Sequence, residues 1–420
     1  MVNPTRIPLA VKALLCTFSL GSFAVVGQVT VLGKQVYDMT DSELHLGLLG
    51  LAEFLPIALL APFAGATADR FDRRVVFVLA LSGEVVTSTL LWLYVRSDPT
   101  SVIPIFLIVL AFGSCRAFAS PAGRALPIDL SPPEVVARVV ALKSVGFQIG
   151  LITGPVAFGF AFVADPALPY LLSAIALSVA VCIVVAVPSS KVRRLATNGA
   201  RQAVADALHG LRFIRRSPIL FGAMGLDLFA VLFGGAVALL PAIAEDRLGV
   251  GAVGLGWLRA AVGIGAGMVA VTLSIRPLRR NLGRTLLVVV AVFGLATIGL
   301  GLTRSFAVAF LAIVVLAGAD AVSMFIRLTL VPLATPEDMR GRVLAVENVF
   351  IGASNELGAA ESGLTAAVMG LVGAVVFGGA ATLVVVALWW RWFPDLRDMD
   401  TFDEIRAETR TETRRGGTPP

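Results

Sequence analysis

Residues 131–159 read SPPEVVARVVALKSVGFQIGLITGPVAFG, and residues 334–363 read ATPEDMRGRVLAVENVFIGASNELGAAESG. Pro133-Glu134 aligns with Pro336-Glu337. With one extra residue allowed at Arg340, Arg138-Val139 falls on Arg342-Val343, Ala141 on Ala345, Gly154 on Gly358 and Gly159 on Gly363. The offset, 345 minus 141, is 204, about half of the 420 residues. A half-length repeat in so apolar a chain predicts two homologous helix bundles in a membrane. Chance similarity could explain one loop and the helix it leads into. It does not explain why the same offset also orders the flanking apolar runs.

Composition points the same way. The mean hydropathy is +0.89. Hydrophobic residues make up 57% and charged residues 15%, where soluble domains carry about 25% charge. Apolar runs recur at the length that crosses a bilayer, about 20 residues. Twelve are read: 9–33, 44–66, 74–95, 101–123, 138–163 and 168–188, then 218–243, 252–275, 284–303, 305–334, 341–369 and 371–393. Each must be helical, because lipid offers the backbone no hydrogen-bond partner. The first run is too long for a signal-peptide core and lacks a small-residue cleavage pattern, so no leader is expected. The fold class is therefore all-α, in two pseudo-symmetric six-helix bundles. The expected division is 1–188, a cytoplasmic linker 189–217, 218–394, and a disordered tail 395–420. Within the linker, residues 203–214 form an amphipathic stretch expected to lie on the inner membrane face.

Basic residues set the expected topology. Arg70, Arg73, Arg74, Arg124, Arg138, Arg276, Arg279, Arg280, Arg284, Arg340 and Arg342 fall in the even-numbered connections. The linker adds Lys191, Arg193, Arg194, Arg201, Arg212, Arg215 and Arg216, while the odd-numbered connections hold only Lys34, Arg96, Arg247 and Arg304. The positive-inside rule then places both termini in the cytoplasm of a prokaryotic plasma membrane protein. The net charge of +6 is read as this topology signal. No basic face is interleaved with aromatics, so nucleic acid is not an expected partner. Cys16, Cys115 and Cys182 lie in apolar runs without ligand spacing, and His45 and His209 lie near membrane edges. No metal set, phosphate loop or nucleophile elbow is present. No cofactor and no enzymatic activity are expected.

Gly65-Ala66-Thr67-Ala68-Asp69-Arg70-Phe71-Asp72-Arg73-Arg74 joins the second and third runs. It resembles the cytoplasmic motif of the major facilitator superfamily: a glycine, then Asp-Arg, then paired basic residues. The resemblance implies that Asp69 caps a helix end and salt-bridges across the bundles, latching the outward-facing state with Gly65, Arg70, Arg73 and Arg74. Asp72 stands where a glycine is usual, and its tolerance of left-handed geometry would preserve the turn. The second-half counterpart, 276–284, lacks the aspartate, so a one-sided latch is expected. Gly150, Gly154 and Pro155 resemble the glycine-proline packing motif of the superfamily's antiporters, and Arg116 stands where those antiporters keep an arginine linked to proton coupling. A generic small-residue packing face is the competing reading. Ser354-Asn355-Glu356-Leu357-Gly358 resembles the branch of enterobactin-type siderophore exporters and macrolide efflux pumps, with Ala359-Ala360 where that branch often has an acidic-aromatic pair.

Charge at bilayer depth is expensive and usually functional. The candidates are Glu53, Glu84, Arg116, Asp227, Arg259, Asp320, Arg327, Glu356 and Glu361. Under the 204 offset Arg116 falls on Asp320, and Asp320 shares a helix face with Arg327. Glu347, Ser354, Gly358 and Glu361 share one face of the eleventh run, with Asn348, Asn355 and Ser362 beside it. Asp227 and Asp320 are read as proton acceptors, modulated by Arg116, Arg259 and Arg327, with Glu361 in reserve. Glu53, Gln148, Ser354, Asn355 and Glu356 are read as cavity-lining. Asp320–Arg327 and Asp227–Arg259 could instead be static pairs that hold the bundle. The expected function is secondary transport by alternating access: a monomeric proton-coupled antiporter exporting an amphipathic small molecule such as a siderophore or drug. Uptake or facilitated transport, and a transport-inactive scaffold or sensor, are the alternatives.

Overall fold

Long apolar stretches without helix-breaking polar runs give long helices, and the computed structural model is helical almost throughout. It describes residues 7–188, 200–337 and 339–405. The helices are α1 (Leu9–Thr40), α2 (Glu43–Arg70), α3 (Arg73–Val95), α4 (Ile103–Asp129), α5 (Val136–Ala164), α6 (Leu168–Ala186) and α7 (Ala200–Arg216). They continue as α8 (Pro218–Phe233), the single turn α9 (Leu240–Ala242), α10 (Gly251–Ile275), α11 (Leu282–Leu302), α12 (Phe306–Leu333), α13 (Arg340–Trp392) and α14 (Pro394–Arg397). Among the described residues, 11 helical segments are long and apolar enough to cross a membrane. One of them, α13, is two helices meeting at Gly370, whose φ of 73° and ψ of 163° are non-helical. This conformation is essentially open to glycine alone. Counting its halves separately gives the twelve crossings that the hydropathy predicts.

Their surfaces are inverted relative to a water-soluble protein. Helix α3 buries Glu84, Thr87 and Ser88 and exposes Val75, Leu79, Val86, Leu90 and Leu93. An apolar exterior around a partly polar interior suits a helix bathed in lipid.

The chain forms two compact units. The first holds the described residues through Ala200 together with Leu240–Gly263; the second holds Arg201–Leu239 and the described residues from Ile264 onward. In the first, α1 lies along α5, and Gly146, Gly150 and Gly154 face Ser19, Ser22 and Phe23 of α1. Glycines four apart bring backbone against backbone. A Cβ on Gly154 would stand 2.5 Å from the Phe23 carbonyl oxygen. The repeat aligns Gly154 with Gly358, and Gly358 does the same work in the second unit. A Cβ there would meet the Val231 carbonyl of α8 at 2.6 Å.

Three expectations change. First, the opening helix runs to Thr40 rather than 33, because Lys34 is neutralised by Asp38 one turn on and by Glu245 at 3.1 Å. Second, the C-terminal end of the linker helix packs inside the second unit: Ile214 is buried with Leu220, Met224, Val331, Val343 and Val346, while Leu208 stays exposed. Third, the tail is folded as far as Ile405. Leu396, Met399 and Ile405 are buried beside Leu282 and Leu286 of α11. The backbone N–H groups of Leu282 and Gly283 donate to the Asp400 and Met399 carbonyls at 3.2 and 3.0 Å. The Asn281 N–H donates to the Asp400 carboxylate at 2.7 Å. The tail thus satisfies donors that a helix start leaves unpaired. Residues 406–420 lie outside the described residues.

Gly154→Ala should lower the thermal midpoint in detergent, since overpacking a tight seam costs about 1–3 kcal/mol. Gly65→Ala should raise it slightly: a Cβ at Gly65 meets nothing within 4 Å, and alanine is favoured over glycine in a helix by about 1 kcal/mol. Equal shifts in both variants would refute the seam.

Candidate functional site

The second unit gathers most of its buried charge at one place. Asp227 sits on α8, Asp320 and Arg327 on α12, and Glu347 on α13. An Arg327 guanidinium nitrogen lies 2.5 Å from the Asp227 carboxylate, with 3% and 8% of the two side chains exposed. Both Arg327 and Asp320 act electrostatically on Asp227, and Arg327 also acts on Asp320. Glu347 feels Arg327 and Asp227 and is itself buried. Three carboxylates thus share one cation. A small void beside them is lined by Asp227, Asp320 and Ser323 with Ala230, Val231, Val290, Phe293 and Ala319.

Asp227 pairs with Arg327, and both α8 and α12 belong to the second unit. Glu361 stands apart and accepts a hydrogen bond from Thr365 at 2.8 Å. Ser354 and Asn355 both donate back to the Ile351 carbonyl, at 3.1 and 2.8 Å. Ser354 is buried and Asn355 exposed, while Glu356 is half-buried.

The first unit has a looser charged group. Arg116 of α4 stands 3.8 Å from Glu53 of α2 and 5.9 Å above the Phe112 ring. Both charges act on Glu84, which is buried on α3. Gln148 donates to the Gly263 carbonyl. The repeat sets Lys143 at the register of Glu347, and Lys143 lies 4.2 Å over the Phe18 ring. The two halves therefore carry opposite charges at two equivalent positions, Arg116/Asp320 and Lys143/Glu347.

In the α2–α3 connection, Arg73 is the hub. It donates to Asp129 at 2.7 Å, to Asp69 at 3.1 Å and to the Ala68 carbonyl at 3.3 Å. Arg74 donates to the Val185 carbonyl, and Arg70 lies over Phe71 at 5.9 Å. Asp72 adopts extended geometry, φ −62° and ψ 116°, and accepts from the Arg74 N–H as the N-cap of α3. Asp72 thus N-caps α3 in extended geometry, and no left-handed turn is needed. A short polar side chain before the first helical residue is the usual N-cap solution.

Sequence reasoning missed a second network. Lys34 bridges Asp38 and Glu245, and the Tyr37 hydroxyl donates to Asp246. The acidic pair sits on a π-helical stretch, Ile243–Arg247, within the segment that packs with the first unit. The i,i+4 spacing of Lys34 and Asp38 was the available signal.

The profile of a family described as transmembrane secretion effector, MFS_3, matches residues 14–414. The chain belongs to that family. That family places it in the major facilitator superfamily of integral membrane transporters, which are not enzymes. It is 32% identical over 126 residues to human major facilitator superfamily domain-containing protein 10, covering 30% of this chain and 26% of that protein. It is 26% identical over 220 residues to the uncharacterized MFS-type transporter YfiS of Bacillus subtilis, covering 51% of this chain and 50% of YfiS. The chain thus matches no more than half the length of these relatives. Among solved structures it is similar to a POT family transporter in complex with 5-aminolevulinic acid, with TM-score 0.75, 13% identity and coverage of 93% and 97% of the two chains. It is also similar to a D-xylose-proton symporter, with TM-score 0.69, 16% identity and 93% and 98% coverage, and to the human organic anion transporter MFSD10, with TM-score 0.63, 17% identity and 91% and 100% coverage.

The two arginines of the transporter should respond differently to removal. Arg327→Gln leaves buried carboxylates uncompensated and should cost about 3–5 kcal/mol. Arg116, 35% exposed and 3.8 Å from its partner, should cost about 1 kcal/mol or less on replacement by Gln. Thermal midpoints of the two purified variants check this, and a larger loss for Arg116→Gln would contradict it.

Proposed function

We propose that this transporter is a proton-coupled exporter of an amphipathic small molecule. The observation that carries this reading is the surplus of carboxylates over cations where Asp227, Glu347 and Arg327 are buried and Asp320 half-buried. Three ionised acids around one guanidinium would leave uncompensated charge in a poorly solvated interior, which is prohibitively expensive. The site therefore stores at least one proton, and a site that stores a proton in one state can release it in another. Asp227 and Asp320, the acceptors read from the sequence, both lie in this cluster with Arg327 beside them. Arg116, Arg259 and Glu361 modulate the cycle from outside this cluster.

Export is supported by the family's description as secretion effectors, and by the resemblance of residues 354–358 to siderophore and macrolide exporters. The human relative's description as an organic anion transporter adds amphipathic anions to the substrates worth testing. We take the chain to work as a monomer in a prokaryotic plasma membrane, with both termini cytoplasmic as its arginines suggest. Two six-helix bundles, 1–188 and 218–394, would work by alternating access. The Asp69–Arg73–Asp129 group would act as the latch, with Arg70 and Arg74 alongside. Gly150, Gly154 and Pro155 would serve as the packing seam, and Glu53, Gln148, Ser354, Asn355 and Glu356 would line the path. Protons and the exported molecule are its partners, with no cofactor or nucleic acid.

Reconstitution tests the coupling. Proteoliposomes with an interior pH dye should report proton movement opposite to the flux of an accepted compound, screened over catechol siderophores, macrolides, lipophilic anions and lipophilic cations. Concentrative transport should stop when a protonophore collapses the pH gradient with the membrane potential clamped. Undiminished concentrative transport under that clamp would refute proton coupling.

A further inference from the structure

We propose that Glu347, rather than the ion-paired Asp227, is the group that takes up and gives back the transported proton; this rests on the proton-coupled reading above. Glu347 is 2% exposed, and its Oε1 is buried without a hydrogen-bond partner. Asp227 differs in kind, because its carboxylate already holds Arg327 at 2.5 Å. An ionised carboxylate so little exposed to water, with one oxygen given no donor, is far costlier than the neutral acid. The neutral acid therefore belongs on Glu347 and the charge on Asp227.

The same place contains the means of letting the proton go. Arg327 Nε is buried and makes no hydrogen bond, although its Nη2 serves Asp227. A guanidinium has five N–H donors and can serve two carboxylates. Arg327 already acts electrostatically on Glu347. An unused donor and an unused acceptor stand in one charged cluster, which gives two compensated arrangements. In one, Glu347 is protonated and Arg327 is held by Asp227 alone. In the other, the proton has passed from the Glu347 carboxyl to water and the Arg327 Nε–H has turned to the new carboxylate. The proton is the only species exchanged.

The surroundings leave these groups in control. The charges acting on Glu347 are Arg327 of α12 and Asp227 of α8, with Asp320 entering through its action on Asp227. The titratable residue of α11 is Arg284, at its first turn and near Asp398 of the tail at 3.7 Å. On α7, His209, Arg212, Arg215 and Arg216 are exposed. The other acids of α13, Glu356 and Glu361, lie nine and fourteen residues further along the helix (356 and 361 against 347).

An apolar carbodiimide tests this on the unmodified full-length protein, because it reacts with protonated carboxyl groups in apolar surroundings. The chain in lipid vesicles is treated with dicyclohexylcarbodiimide from acidic to alkaline pH, and the adducts are located by peptide mass spectrometry. Glu347 should carry the adduct, with a rate that falls about tenfold per pH unit on the alkaline side of its titration. Asp227 should be spared. An adduct on Asp227 or Asp320 with none on Glu347, or a Glu347 rate independent of pH, would overturn the assignment. Infrared pH-difference spectra give a second reading: a titrating protonated-carboxyl band should vanish in Glu347→Gln, shift in Glu347→Asp and persist in Glu134→Gln. Survival of the band in a folded Glu347→Gln protein would also overturn it. Either failure leaves the collapsed-gradient experiment untouched, since that reads coupling without reference to which acid carries the proton.

Discussion

One guanidinium answers for three carboxylates, two buried and one half-buried, and the functional account depends on that imbalance. Arg327 is almost wholly buried and bound to Asp227, while Asp320 and Glu347 sit within its electrostatic reach. In water such a grouping would be unremarked. Inside a helix bundle surrounded by lipid, each uncompensated charge costs several kcal/mol or more. The cluster therefore has to hold a proton, exchange partners or open to water, and each of those is a step a transporter can use.

The scaffold that holds this cluster comes from a duplicated helix pair. Gly154 presses α5 against a carbonyl of α1, and Gly358 presses the first half of α13 against a carbonyl of α8. Close backbone contact fixes those helices without any hydrophobic driving force between them, which lipid does not supply. The charged positions have diverged over the same frame. Where the first half keeps Arg116 and Lys143, the second keeps Asp320 and Glu347. The first unit's charged group is accordingly looser, with Arg116 3.8 Å from Glu53, and the burial cost is concentrated in the second.

Most of the fold could be read from the chain because hydropathy runs and a backbone-packing glycine leave direct marks in sequence. The half-length repeat marked the equivalence of α5 with the first half of α13, and the spacing of Asp320 and Arg327 put both on one face of α12. Partners from distant helices were harder to read. Asp227 meets Arg327 from another helix far along the chain, and the packing of Leu240–Gly263 with the first unit follows from no local pattern. Tyr37 with Asp246 is a contact across 209 residues. The tail looked solvated because its charges alternate. The buried residues that dock it, Leu396, Met399 and Ile405, are too widely spaced to give a hydropathy signal.

The central claim is that Asp227 and Arg327 form an energetically coupled pair inside the bundle, and a double-mutant cycle tests it most directly. Thermal or chemical stability is measured for wild type, Asp227→Asn, Arg327→Gln and the double variant in the same detergent. The account predicts that each single change is destabilising and that the double variant loses less than the sum of the two single losses. The coupling energy should then be about 1–3 kcal/mol. Additive losses, with a coupling energy near zero, would contradict it.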